Sequence, residues 1–77
     1  MKIERLIEMA NDIGTFFRAL PDRNQAAEGI AEHLRKFWDP RMRRQLTDYV
    51  TAGGKGLDPP VEAAVRSLAQ QSKTTAA

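Results

Sequence analysis

Few side chains in this sequence are of a type that performs chemistry, and their spacing denies them partners. The only histidine is His33. A catalytic or metal-bound imidazole needs an oriented carboxylate, a second imidazole or a nucleophile within reach. The neighbouring Glu32 projects about 100° away around a helix of ~3.6 residues per turn, so His33 reads as a boundary residue beside an apolar stripe. The carboxylates Glu4, Glu8 and Asp12 recur at four-residue intervals and form an acidic ridge on one outer face. Hard cations favour such oxygens, but no looped cage of further ligands surrounds them. The ridge reads as a solvated face or as an acidic contact strip for a basic partner. Gly53-Gly54-Lys55-Gly56 precedes a helix start and invites comparison with a phosphate loop. That motif follows a strand and needs GxxxxGK followed by Ser or Thr, and Pro59 and Pro60 remove amides that would face an anion. The cluster is therefore a helix-capping linker. Cysteine is absent, which excludes disulfide scaffolds, thiolate zinc sites, cysteine-held iron–sulfur clusters and thiol catalysis. No catalytic, cofactor-binding or metal-ligating residue is expected in this chain.

Residues suited to binding are more informative. The stretch from Arg35 to Arg44 holds Arg35, Lys36, Arg41, Arg43 and Arg44 against the lone Asp39, with Phe37 and Trp38 in its middle. Two helices meeting at a short turn, with basic residues around an aromatic pair, can dock on nucleic-acid phosphates. They can equally dock on a protein, where Arg and Trp are enriched anchors. The net charge is only +2, and the second helix of the pair offers few base-reading side chains. A protein partner is favoured over a merely solvated charged rim; a small helix-turn-helix-like nucleic-acid binder is the functional alternative. Asp39-Pro40 stiffens the corner, so its side chains are presented at low entropic cost. Trp38, Arg41, Arg43 and Arg44 are the expected docking residues, with Arg41 and Arg44 pointing away from the side marked by Met42 and Leu46.

The first helix carries a surplus of apolar residues. Beside an inward stripe of Ile3, Leu6, Ile7, Ala10, Gly14 and Phe17 lies a second one of Met9, Ile13, Phe16 and Leu20. Together they cover about 180° of the circumference, where a surface helix needs ~100°. Either this helix is central and touches neighbours on both sides, or another chain covers the second stripe. In the latter case Met9 and Phe16 form a secondary docking patch. Self-association of the second stripe across a two-fold axis is a further possibility.

All of these residues must be positioned by helices. Apolar spacing predicts the first over about 2–19, ended by Leu20-Pro21 because the residue before proline leaves the α region. Asp22 is an N-cap with Gln25 completing a variant capping box, which opens a helix over 23–37 with Ala26, Ala27, Ile30, Leu34 and Phe37 inward. Asp39-Pro40 opens the third, 40–52, with Met42, Leu46, Tyr49 and Val50 on one side. Gly53-Gly54 stops it, since glycine accepts the left-handed C′ conformation. Asp58-Pro59 opens the fourth, 59–71, with Val61, Val65, Leu68 and Ala69 inward, and 72–77 is expected as a frayed tail. The Gly53–Gly56 connection is the candidate hinge before the fourth helix. No segment alternates with period two. The fold class is all-α: a small four-helix domain over 2–71, with short loops and Pro/Asp-capped helix starts. Its 77 residues, 42% hydrophobic, supply one small core and leave little room for a cofactor cavity, since a chain this size buries only ~60% of its unfolded surface. No run approaches the ~18 apolar residues of a membrane span, and the mixed-charge start MKIERLIEMA is unlike a signal peptide. A cytoplasmic protein is expected.

MANDIGTFF (Met9–Phe17), GIAEHLRKFWDPRMRRQL (Gly29–Leu46) and AGGKGLDPPVEAAV (Ala52–Val65) closely resemble the delta subunit of cytoplasmic NAD-dependent, molybdenum-containing formate dehydrogenases. The likeness runs from about Ile3 to Leu68 in one register, and FWDPRM, Phe37 to Met42, is its most specific piece. Asp12 and Lys55 depart from the family pattern, both at outer or loop positions. The resemblance implies a non-catalytic accessory subunit that binds the catalytic subunit. It places the molybdenum–pterin cofactor, the iron–sulfur clusters and the flavin in the partner subunits, which move electrons from formate to NAD⁺. It supplies no catalytic residue to carry over.

Overall fold

Proline and aspartate set the boundaries of four helices. A computed structural model of the chain describes residues 2–76, with side chains over 2–71. Helices α1 (Ile3–Phe17), α2 (Arg23–Phe37), α3 (Pro40–Thr51) and α4 (Pro59–Ala76) follow in order, and the architecture is all-α as expected. The anticipated fraying over 72–77 lies outside the fully described residues. α1 ends at Phe17 rather than Ala19: ahead of Pro21 the chain tightens into turns, with Arg18 N–H donating to Thr15 and Leu20 N–H to Phe17. Asp22 caps α2 by accepting from the Asn24 amide at 2.8 Å. Gln25 makes no return bond among the described residues, so the capping box is half-formed. Asp39 caps α3 in the same way, accepting from the Arg41 amide at 2.8 Å with Pro40 at the first helical position.

The core is wholly apolar. Leu6 and Ala10 of α1, Ile30, Ala31 and Leu34 of α2, Leu46 and Val50 of α3, and Val61, Ala64, Val65 and Leu68 of α4 form one buried cluster, to which Trp38 also belongs. α4 packs most extensively on α2 and also lies against α3. α1 reaches α4 only because Gly14 has no side chain: a Cβ there would come within 2.4 Å of Val61 Cγ2.

The Gly53–Gly56 connection, the candidate hinge, is tied by hydrogen bonds to α3 and α1. α3 ends with the Gly53 amide donating to Val50 and the Gly54 amide to Tyr49, the paired bonds of a Schellman motif, and Gly54 is left-handed with φ 70°. The Tyr49 hydroxyl donates to the Lys55 carbonyl. Asn11, reaching across from α1, donates to the Gly56 carbonyl at 2.9 Å and accepts from the Asp58 amide at 3.0 Å. Two helices thus hold the loop that launches α4.

Candidate docking site

The α2–α3 corner divides its aromatic pair. Trp38 was expected on the surface and is instead 7% exposed, within the core cluster. Helical periodicity fails there because α2 ends at Phe37 and Trp38 is extended, with φ −91° and ψ 140°. Its amide still donates to the Leu34 carbonyl at 3.0 Å, which keeps it against the last turn while the extended backbone re-aims the indole. Phe37, expected inward, is 72% exposed. Its ring lies 4.8 Å from that of His33, tilted. Half-buried beside an exposed ring, His33 is the boundary residue that its position on the helix suggested.

Among the described residues, three of the five basic side chains make no ion pair within 4 Å or hydrogen bond. Arg43 was expected to face a partner, yet its guanidinium donates to the Arg35 carbonyl. That carbonyl belongs to the last turn of α2, where main-chain oxygens lack intrahelical partners and the helix dipole favours a cation. Lys36 is paired with Glu32 at 2.8 Å, and the ammonium's hydrogen bond holds the Glu32 carboxyl below the usual range. Arg35, Arg41 and Arg44 are exposed, and their side chains form no ion pair among the described residues. Arg41 and Arg44 leave the first turns of α3 on the side away from buried Leu46.

The second stripe of α1 is also divided. Met9 and Ile13 are half-buried and packed against the core, so the central-helix reading accounts for them. Phe16 is 80% exposed and Leu20 40%. Phe16 stands edge-on to Phe17 at 5.4 Å, and Phe17 lies over Gly29, where a Cβ would fall 2.5 Å from the ring. The acidic ridge stays in solvent, with Glu8 paired to Arg5 at 2.8 Å.

Among the described residues no three His, Asp or Glu side chains approach closely enough to hold a metal ion. A groove of about 520 Å³ between α2 and α4 is floored by Ala27, Ala31 and Ala63 and rimmed by Glu28, Glu32 and Arg35. Its one hydroxyl, Ser67, makes no hydrogen bond to the lining carboxylates among the described residues. Sequence reasoning missed Asn11, whose signal was a poor helix former in the middle of a strongly periodic helix. It also missed Phe37 and the tie between Arg43 and the main chain.

The model of one protein family, described as the NADH-dependent formate dehydrogenase delta subunit FdsD, matches residues 5–65 of the 77. That match runs from the first turn of α1 into the middle of α4 and includes the whole corner. No curated protein and no solved structure matches the chain.

Proposed function

Because the chain belongs to the family of NADH-dependent formate dehydrogenase delta subunits, we propose that it is a non-catalytic accessory subunit that binds the catalytic subunit and supports its assembly, stability or activity. The observation that carries this reading is a rigid corner bearing unsatisfied groups. Phe37 is exposed and Arg41 and Arg44 lack acidic partners among the described residues, while Asp22, Asp39 and Arg43 are engaged with main-chain groups at helix ends. Such a surface offers contact and no bond-making group. In this reading the molybdenum–pterin centre, iron–sulfur clusters and flavin belong to the larger subunits, and the path from formate to NAD⁺ runs outside this chain. No described helix is long and apolar enough to cross a membrane, and in this reading the complex is cytoplasmic.

The nucleic-acid alternative loses two of its contacts, since Trp38 is buried and Arg43 is tied to the main chain. Co-expression of the tagged chain with the catalytic subunit tests the proposal. The expected result is recovery of that subunit, identified by mass, and lower formate-dependent NAD⁺ reduction in extracts lacking this chain. Purification without any formate dehydrogenase subunit, together with DNA retention that falls steeply with salt, overturns it.

A further inference from the structure

We propose that the aromatic strip along α1 and α2 and the unpaired arginines of the corner form one docking seat, whose occupant is an acidic segment of the large formate dehydrogenase subunit carrying two apolar anchors. This rests on the accessory-subunit reading above. The strip is continuous. Phe16 meets Phe17 edge-on, Phe17 covers Gly29, and one helical turn beyond Gly29 the His33 ring meets Phe37. Its two ends, Phe16 and Phe37, are the most exposed large apolar side chains among the described residues, at 80% and 72%. Gly29, His33 and Phe37 lie one turn apart along α2 and span about 12 Å at ~1.5 Å of rise per residue, a length that an extended or helical partner segment can follow.

Charge identifies the occupant. At the Phe37 end, Arg41 and Arg44 extend from α3 without acidic partners among the described residues, whereas Lys36 is already answered by Glu32, whose carboxylate also feels the charge of Arg35. A partner that seats an anchor at Phe37 gains most by placing carboxylates beside it, because charge complementarity steers encounter and fixes register. A second copy of this chain fits less well. An isologous contact presents the same patch from both copies, so it brings Arg41 and Arg44 again and adds no carboxylate to answer them.

The test compares the tagged chain with two double variants, Phe16→Ser/Phe37→Ser and Arg41→Glu/Arg44→Glu, each co-expressed with the catalytic subunit. Far-UV circular dichroism of the isolated chains monitors folding. All four positions are exposed, so helicity should be unchanged. Each pair is expected to lower recovery of the catalytic subunit about tenfold or more, the effect of losing a central anchor. If the first pair loses helicity, the single Phe16→Ser substitution carries the aromatic arm. Wild-type recovery with both variants binding equally well overturns the seat while leaving the accessory role intact. Failure of the wild type to recover the subunit overturns both. Loss with the serine pair alone refutes the acidic occupant. A dimer of the isolated chain that the serine pair makes monomeric, with catalytic-subunit recovery undiminished, assigns the strip to a second copy and also overturns the proposal.

Discussion

Replacing Trp38 with alanine separates a core role from a docking role. The indole is 7% exposed and joins the buried cluster shared by all four helices. Truncating a buried tryptophan to alanine costs about 3–5 kcal/mol, transfer and cavity together. A chain of 77 residues has roughly 4–12 kcal/mol in total at ~0.05–0.15 kcal/mol per residue. The substitution therefore removes a large share of all the stability available. In a domain of this size each kcal/mol shifts the melting temperature by ~4–8 °C, so a fall of at least about 12 °C is expected. Phe37→Ala, at a 72% exposed position, should stay within about 0.5 kcal/mol, or roughly 4 °C. Thermal melts followed by circular dichroism decide the matter, read beside recovery of the catalytic subunit at a temperature where both variants are folded. A Trp38→Ala variant that melts within about 4 °C of the parent yet loses its partner refutes the argument, because the indole would then be a docking group after all.

Further substitutions probe the close approach, the loop clamp and the exposed ion pair. Gly14→Ala places a methyl 2.4 Å from Val61 Cγ2 and should cost ~1–3 kcal/mol in overpacking, partly offset by a gain in helix propensity of ~1 kcal/mol. A double-mutant cycle with Val61→Ala should show favourable coupling above ~0.5 kcal/mol, and simple additivity would count against the contact. Asn11→Ala removes two hydrogen bonds across the loop and should cost about 1 kcal/mol, with faster hydrogen exchange at the Asp58 amide. Asn11→Asp retains the acceptor and should preserve protection at that amide. Glu32 titrates below the ordinary carboxylate range because Lys36 favours its charged form. The pair's contribution to the folded state is present above that range and is lost as pH falls through the depressed value. NMR titration of Lys36→Gln should show the Glu32 midpoint rising.

The helices were legible because their ends are marked chemically. Asp22 and Asp39 carry caps, Pro21 and Pro40 fix backbone at boundaries, and Gly53-Gly54 supplies the positive φ that ends α3. The core followed from the same periodicity, as with Leu6, Ile30, Leu46 and Val61. Periodicity failed at Trp38, where it ceases to apply. One residue past the end of a helix the backbone is extended, and the wheel that placed the indole outward no longer describes its direction; Phe37, the last helical residue, is exposed although the wheel placed it inward. Periodicity also failed to divide Met9 from Phe16. Both lie on one stripe of α1, and only the path of the neighbouring helix decides which is covered. Arg43 and Asn11 escaped for a further reason: their partners are main-chain groups eight and more than forty residues away, and no pattern of side-chain types encodes a long-range contact with a carbonyl.

The corner's inner chemistry is what leaves its outer chemistry available. Burial of Trp38 fills the core beneath the last turn of α2, Arg43 answers a carbonyl of that turn, and Asp39 answers an amide of the next helix. Those three residues hold the corner, and Phe37, Arg41 and Arg44 are surplus to it. The two kinds of surplus differ in energy. Leaving exposed arginines unpaired forfeits little, since surface ion pairs are worth about 0–1 kcal/mol. Leaving Phe16 and Phe37 in water forgoes roughly 1.5–3 kcal/mol each for burial, a substantial part of the ~4–12 kcal/mol a domain of this length possesses. A larger chain can neglect that amount. If the proposed seat is occupied, burial of those rings adds to the stability of the bound state by mass action, and folding and docking then draw on the same two side chains. The fold of the isolated chain is complete in its core and leaves Phe16 and Phe37 uncovered along one strip, which is the division that the proposed accessory role requires.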